Sequence, residues 1–216
     1  MGNEWVDIDL DYFNGFRAPM SAFERVILSL PQQAPAFFCI DHHHVLPIVK
    51  KAIQDKLIDT PMSIFRVDDH HDYYHVKYFP RKNKDINCGN FGFRVPLKSY
   101  RKFVWVTNKR DRDVYWSVAK NWIEKKGKIA EICKSACLKS VPWNPSNVGL
   151  VTITVSPDFQ CLEYNLSAML ELAAEYFSIP RRPYVRDKGE ISYSEDWEIR
   201  PRPVCLKGNV SSMTER

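Results

Sequence analysis

The sequence predicts an α/β domain built as a three-layer sandwich, with a mostly parallel central sheet between two layers of helices. Three observations support this: a length of 216 residues, an ordinary globular composition with 44% hydrophobic and 26% charged residues, and an alternation of strand-like and helix-like segments. A chain of this length buries roughly 70% of its extended surface, enough for a core without cross-links. We expect one catalytic domain over residues 1–205 and a flexible C-terminal tail over residues 206–216.

The alternation is clearest in the first third of the chain. Residues 6–11 alternate apolar and acidic side chains, which is the period-two pattern of a strand. A capping box at residues 21–24 predicts the start of a helix. Successive strands and helices of this kind give a parallel sheet with helices on its faces. The predicted order is strand 6–11, helix 23–30, strand 36–40, helix 45–58 and strand 63–67.

The rest of the chain gives weaker signals. Residues 73–98 contain six aromatic side chains with prolines and glycines, which predicts a long ordered loop of functional importance. After residue 177, four prolines and little periodicity predict an extended arm. Between these segments we expect strands at 103–107, 128–132 and 150–155, and helices at 113–126 and 165–177.

Charge, hydropathy and cysteine usage exclude several classes of partner. The net charge of +5 is small and its basic residues are dispersed, so we expect no nucleic-acid partner. No apolar run approaches the ~20 residues that span a bilayer, so we expect no membrane partner. The six cysteines are scattered without a CxxC pair, and no signal peptide is visible, which favours reduced thiols and a cytoplasmic location.

Histidine is the most unevenly distributed residue type. All six histidines lie between residues 42 and 75, and five of them form a triplet and a pair that each directly follow aspartate. Three acidic or histidine-bearing motifs, at residues 7–11, 41–44 and 68–72, follow or end predicted strands. Because the carboxyl ends of parallel strands meet at one edge of a sheet, we expect the three motifs to converge. Such a cluster would repel itself unless cations neutralised it.

The third motif is the most specific. Alternate residues of an extended chain share one side, so Asp68, His70 and Asp72 can point to a common centre. A mixture of imidazole nitrogens and carboxylate oxygens suits Mn²⁺, Fe²⁺ or Zn²⁺ better than Ca²⁺ or Mg²⁺. The residues themselves therefore predict a transition-metal site, although Asp41 is equally well explained as a cap of the following helix.

These motifs resemble those of a known family. Residues 67–72 resemble the Val-Asp-Ala-His-x-Asp signature of arginases and agmatinases, residues 39–42 their Gly-Gly-Asp-His segment, and residues 8–11 their Asp-x-Asp strand. In ordinary arginases that last strand follows the other two, whereas here it precedes them. With the loop at residues 87–91, the chain is most similar to the small peptide arginases. Those enzymes convert arginine side chains of ribosomally made precursor peptides to ornithine.

The resemblance implies an arginase-like fold and a pair of Mn²⁺ ions per chain. It implies six metal ligands: Asp9, Asp11, His42, Asp68, His70 and Asp72. Two choices stay open, because two further histidines follow His42 and because a third aspartate precedes the Asp-x-Asp pair. His43 or His44 could replace His42 as a ligand, and Asp7 with Asp9 could replace Asp9 with Asp11.

The implied reaction is hydrolysis of the guanidinium group. Two Mn²⁺ ions that share a water lower its pKa, and the bridging hydroxide would attack the guanidinium carbon to release urea. Asp72 resembles the proton carrier of the family, and His71 or His75 is expected to relay the proton to solvent.

The substrate guanidinium also needs an anion that is not a metal ligand. Asp158, shortly after the strand 150–155, is the candidate, with Glu163 as the alternative. Cys88 and Asn90 are expected to contact the substrate. Aromatic residues near the motifs are expected to flank an extended peptide; they are Tyr12, Phe13, Tyr73, Tyr74, Phe91 and Phe93.

Two rival functions fit part of the sequence. A manganese-dependent phosphoesterase would share the Asp-His-His run at residues 41–43 and an N-terminal Asp-x-Asp strand. A non-catalytic, metal-dependent binding module would need only the histidine cluster. The first rival predicts phosphate as product instead of urea, and the second predicts metal binding without turnover.

Overall fold

The computed structural model describes most of the chain, namely residues 2–73, 89, 91–108, 114–134, 140–156, 163–178, 184–187 and 190–193. Six strands form the body of the sheet: β1 (Glu4–Asp9), β2 (Ala36–Cys39), β3 (Met62–Val67), β4 (Tyr100–Thr107), β5 (Ile129–Lys134) and β6 (Val148–Thr154). The helices are α1 (Pro19–Leu28), α2 (Val45–Gln54), α3 (Val114–Lys125) and α4 (Glu163–Phe177). The predicted tail over 206–216 lies outside the described residues.

The six strands are all parallel and lie in the order β5-β4-β3-β1-β6-β2. Two more strands, β7 (Tyr184–Asp187) and β8 (Glu190–Tyr193), extend the β2 edge. β7 joins β2 in parallel through one residue pair, Cys39 with Tyr184, and β8 runs antiparallel to β7. The predicted α/β class with a mostly parallel sheet is therefore confirmed.

Helices cover both faces of this sheet, as a three-layer sandwich requires. On one face, Phe23 of α1 and Leu170 of α4 belong to a buried cluster with Ile8 of β1. On the other face, Val49 of α2 and Ile123 of α3 belong to a second cluster built around β1, β3 and β4. Among the described residues, no helix combines the length and apolarity that a membrane crossing requires.

The position of β1 places the candidate site. β1 lies between β3 and β6, and all six of its residues are buried, so it is a central strand. The chain leaves β1 for β2 on one side of the sheet and returns to β3 on the other. Ligands in open α/β sheets bind beyond the carboxyl ends of the strands, where the strand order reverses in this way.

Two local predictions differ from the structure. The capping box at residues 21–24 is wrong, because α1 begins at Pro19, before Ser21. Proline suits the first position of a helix because its missing N–H group would have no partner there. The first strand ends at Asp9 and continues into a 3₁₀ turn, Leu10–Gly15, so Asp11 lies on the turn instead of the strand.

Candidate metal centre

The three predicted motifs meet at one edge of the sheet. Asp9 ends β1, His42 lies in a 3₁₀ turn after β2, and Asp68 directly follows β3. All six expected ligands lie in one network of close contacts, and all but His70 are buried. Burying this many ionisable groups is costly unless they are paired or bind a cation.

The first set of donor atoms surrounds Nδ1 of His42, and we name it the His42 group. One carboxylate oxygen from each of three aspartates lies close to this nitrogen. The distances are 3.1 Å to Asp9 Oδ2, 3.2 Å to Asp68 Oδ2 and 3.0 Å to Asp72 Oδ2. His42 Nδ1 thus lies close to three carboxylate oxygens, and donor atoms of His42, Asp9 and Asp68 also lie within 4.8 Å of one another, as those of a single cation would.

The second set, the His70 group, lies beside the first. Nδ1 of His70 is 3.2 Å from Asp11 Oδ2 and 3.6 Å from Asp68 Oδ1. Asp68 therefore divides its two oxygens, with Oδ2 toward His42 and Oδ1 toward His70. A carboxylate shared in this way is the arrangement expected of a bridging ligand between two metal ions. The His70 side chain stays 31% exposed, so this group is the more accessible to a substrate.

The pKa shifts of the two histidines reveal an excess of negative charge. Burial alone would lower the pKa of His42, but Asp7, Asp72 and Asp9 raise it well above its usual value. Burial likewise acts to lower the pKa of His70, yet the hydrogen bonds of its ring to two aspartates raise it to about 11. Both shifts therefore favour the protonated imidazole, whereas a metal ligand must be neutral.

The carboxylates show the same excess. Burial, together with the charges of Asp9 and Asp68, raises the pKa of Asp11 well above its usual value. Burial and the charge of Asp68 raise the pKa of Asp72 to about 7. Burial would also raise the pKa of Asp68, but its hydrogen bonds with the two histidines outweigh this and hold the pKa below its usual range.

The donor set fits divalent cations. Donor atoms of Asp9, His42 and Asp68 lie within 4.8 Å of one another, and so do those of Asp11, Asp68 and His70. Asp11 Oδ1 is buried and has no hydrogen-bond partner among the described residues, which leaves its lone pairs free for a ligand. Mixed imidazole and carboxylate donors of this kind suit Mn²⁺, Fe²⁺ or Zn²⁺.

Asp7 lies on the opposite side of the His42 ring from this donor set. Its Oδ2 is 3.0 Å from His42 Nε2 and accepts a hydrogen bond from Arg66 Nε at 3.0 Å. Its Oδ1 accepts a hydrogen bond from Thr152 Oγ1 at 2.6 Å. Of the two aspartate pairs left open by the sequence, the geometry therefore favours Asp9 with Asp11 as ligands.

Sequence reasoning missed three contributors to the site: Arg66, Thr152 and Ser156. Arg66 is fully buried within β3, and its Nη1 donates to Asp72 Oδ2 at 3.3 Å. A lone arginine in the apolar strand Met62–Val67 was an available signal, since a buried charge requires a partner. Ser156 follows β6, and its hydroxyl donates to Asp9 Oδ2 at 2.5 Å.

The other two histidines of the triplet lie apart from this network. His43 and His44 are half-buried, and burial lowers the pKa of each. His44 Nδ1 accepts a hydrogen bond from the backbone N–H of Asp41 at 3.3 Å. With Asp41 they form a separate set of donor atoms within 4.8 Å of one another. The geometry thus favours His42 over His43 and His44 as the ligand of the buried pair.

His71 is placed differently from the expectation. Its ring is fully buried and packs against Trp105 and Trp116, with centroid distances of 5.4 and 5.9 Å. Its Nδ1 accepts a hydrogen bond from the backbone N–H of Tyr73 at 3.0 Å. A ring without solvent access does not exchange protons directly with water, so the structure does not support His71 as a relay.

Several expected site residues, a proton relay and substrate contacts among them, fall outside the described residues. These are His75, Cys88, Asn90 and Asp158, while Glu163 begins α4 with no description of its side chain.

The expectation that the aromatic residues flank a peptide is wrong for four of the six. Tyr12, Phe13, Tyr73 and Phe91 are each at most 1% exposed and belong to the two cores. Phe93 is partly buried against the core that contains Tyr73 and Phe91, and Tyr74 lies outside the described residues. The rings fill the space around the polar cluster instead of lining an open channel.

Comparison with known proteins adds no relative: no protein-family model, curated protein or solved structure matches this chain.

Proposed function

We propose that this protein is a metal-dependent hydrolase that converts arginine side chains in a peptide to ornithine and releases urea. The proposed cofactor is a pair of Mn²⁺ ions, and the proposed substrate is a ribosomally made precursor peptide in the cytoplasm. The observation that supports this most is that the two carboxylate oxygens of Asp68 contact different histidines, Oδ2 contacting His42 and Oδ1 contacting His70. Asp68 and His70 belong to an Asp-x-His-x-Asp motif. That motif is also the part of the sequence that most resembles the arginases.

The chain's residues have distinct roles in this proposal. When bound, the two cations would supply a water of lowered pKa and offset negative charge that develops on the reacting centre. The six residues of the His42 and His70 groups would hold them. Asp72, whose Oδ2 lies 3.0 Å from His42 Nδ1, is the group that we propose accepts a proton from the attacking water and returns it to the leaving amine.

The charge of the loaded site is compatible with a cationic substrate. Asp7, Asp9, Asp11, Asp68 and Asp72 are all buried around two histidines and one arginine. With two Mn²⁺ ions bound, these five carboxylates and Arg66 would leave the site close to neutral, so it would not repel a guanidinium. A manganese-dependent phosphoesterase uses the same kind of two-ion chemistry and stays the second candidate, with phosphate as its diagnostic product.

Orientation of the guanidinium is assigned to Asp158 in this proposal. β6 pairs with both β1 and β2, and Ser156, two residues before Asp158, donates a hydrogen bond to Asp9. Ser156 thus lies beside the proposed ligand Asp9 two residues before Asp158, which supports Asp158 as the proposed bidentate partner of the guanidinium. Glu163 is the alternative anion, and Cys88 and Asn90 are further proposed contacts.

The test is a product assay on the metal-loaded protein. Mn²⁺-loaded protein is incubated with an arginine-containing peptide or with free arginine, and urea and peptide ornithine are measured. We expect urea from the peptide, and none from chelated protein or from Asp68→Asn. Absence of urea from every arginine substrate, with two ions bound per chain, would overturn the proposal. Phosphate release from an ester would favour the phosphoesterase, and binding without turnover would favour the binding module.

A further inference from the structure

We infer that Asp7 is a positioning residue that fixes the tautomer and orientation of His42, and that Arg66 ties Asp7 to Asp72. The two residues would thereby set the cation position of the His42 group and leave that of the His70 group unaffected. This inference rests on the metal pair of the proposed function and is independent of the reaction that the pair performs.

The two nitrogens of His42 have different surroundings. Nε2 is 3.0 Å from Asp7 Oδ2, while Nδ1 faces the three aspartates of the His42 group. An ionised carboxylate only accepts hydrogen bonds, so Asp7 requires the proton on Nε2. In the neutral ring this leaves the lone pair on Nδ1, where a cation would need it. Histidine ligands of metals are commonly oriented by a carboxylate in this way.

Asp7 is itself held from inside the protein. Its Oδ2 accepts from Arg66 Nε at 3.0 Å, and its Oδ1 accepts from Thr152 Oγ1 at 2.6 Å. Trp5 Nε1 in turn donates to Thr152 Oγ1 at 2.8 Å. Asp7, Arg66, Thr152 and Trp5 are all fully buried, so the carboxylate is fixed by three adjacent strands, β1, β3 and β6.

Arg66 extends the same connection to a second ligand. Its Nη1 lies 3.3 Å from Asp72 Oδ2 and 3.4 Å from the carbonyl oxygen of His71. Its guanidinium carbon lies 4.1 Å from the ring centroid of Phe91, which also packs on His42 at 4.7 Å between ring centroids. One guanidinium thus contacts Asp72 of the His42 group directly and reaches His42 through Asp7.

The decisive variant is Asp7→Asn, which keeps the size of the side chain and removes its charge. Because Arg66 Nε donates to the same oxygen that faces His42, the amide oxygen should stay toward both residues, and the variant removes the negative charge that holds the proton on Nε2. We expect wild type to bind two Mn²⁺ ions with an exchange-coupled electron paramagnetic resonance spectrum. Asp7→Asn should bind one ion with wild-type affinity and an uncoupled spectrum, and the other about 10–100-fold more weakly.

Two further variants calibrate this result. Trp5→Phe removes only the far end of the chain of hydrogen bonds and should keep two coupled ions. Thr152→Val leaves Asp7 its charge but removes one of its hydrogen bonds, so it should weaken the same single ion by a few-fold. If Asp7→Asn does not fold, as judged by circular dichroism, Thr152→Val decides the question by the same spectrum.

Each outcome separates the inference from the proposed function. Folded Asp7→Asn with two coupled ions of wild-type affinity would overturn the inference alone, and so would equal weakening of both ions. If Asp7→Asn does not fold, Mn²⁺ binding by Thr152→Val that equals wild type would also overturn the inference. Wild-type protein that binds no pair of ions would overturn the proposed function and the inference together.

Discussion

His42 and its neighbours His43 and His44 share a sequence context but have opposite environments. Burial acts to lower the pKa of all three, and at His43 and His44 this effect prevails. At His42 the surrounding aspartates reverse it and raise the pKa well above its usual value. The difference shows that the turn after β2 directs the His42 ring toward the acidic ends of β1 and β3 and leaves the rings of His43 and His44 half-buried. Strand order, more than the density of histidines, decides which ring joins the buried aspartates of the candidate metal centre.

The largest effect should come from Asp68→Asn, because Asp68 contacts both histidines of the pair. We expect loss of both Mn²⁺ ions and a fall in urea production of more than about 100-fold, since even partners of ligands cost about 10–100-fold when mutated. Metal content by mass spectrometry and a urea assay check this. Wild-type metal content in a folded variant would remove Asp68 from the ligand set.

Loss of one histidine of the pair should remove one ion. His42→Ala removes the nitrogen of the His42 group, and His70→Ala removes that of the His70 group. We expect each variant to retain a single Mn²⁺ ion with an uncoupled paramagnetic resonance spectrum. Retention of two coupled ions in His42→Ala would mean that a neighbouring histidine replaces it as a ligand. That result would contradict the distinction drawn between His42 and its neighbours His43 and His44.

The metal-free protein should become less stable as the pH rises. The pKa of Asp72 is raised from 3.8 to about 7, and that of His70 from 6.5 to about 11. A group whose pKa is higher in the folded state stabilises fully below its unfolded pKa and loses that effect as the pH rises through the folded one. The free energy of unfolding should therefore fall from about pH 4, the unfolded pKa of Asp72, to about pH 11, the folded pKa of His70, as measured by urea denaturation.

Saturating Mn²⁺ provides the matched control for this pH dependence. Cations replace the protons that the cluster holds, so metal binding should strengthen with rising pH and oppose the loss of stability. A metal-free protein that gains stability over the same range would contradict the charge excess assigned to the cluster.

The smallest effects should come from His43→Ala and His44→Ala. Both side chains are half-buried and lie outside the His42 and His70 groups. Loss of His43 resembles an ordinary surface substitution of about 0.5 kcal/mol or less, whereas loss of His44 also removes the hydrogen bond from the backbone N–H of Asp41 and should cost about 1 kcal/mol. We expect two coupled ions and urea production within about twofold of wild type. A loss of either ion in one of these variants would place that histidine in the ligand set.

The sequence predicted the sheet and the convergence of the three motifs for the same reason. Alternating strands and helices require a parallel sheet, and motifs at the ends of parallel strands must then meet at one edge. Thr152 and Ser156 could not be predicted, because their contacts with Asp7 and Asp9 join residues 145 and 147 positions apart and depend on β6 lying beside β1.

The aromatic residues were predicted wrongly for a related reason. A ring such as Phe91 or Tyr73 carries no sequence signal for the side of the chain on which it will pack. In the structure both rings are buried and close the polar cluster against the core. Phe91 packs on both His42 and Arg66, so the rings near the site support its ligands instead of an open substrate channel.

The most direct test of the metal pair is an anomalous difference map from a crystal of the Mn²⁺-loaded protein. We predict two peaks roughly 3.5–4 Å apart, one beside His42 Nδ1 and one beside His70 Nδ1, with Asp68 between them. A single peak at the buried cluster, or manganese only beside His43 and His44, would contradict the account.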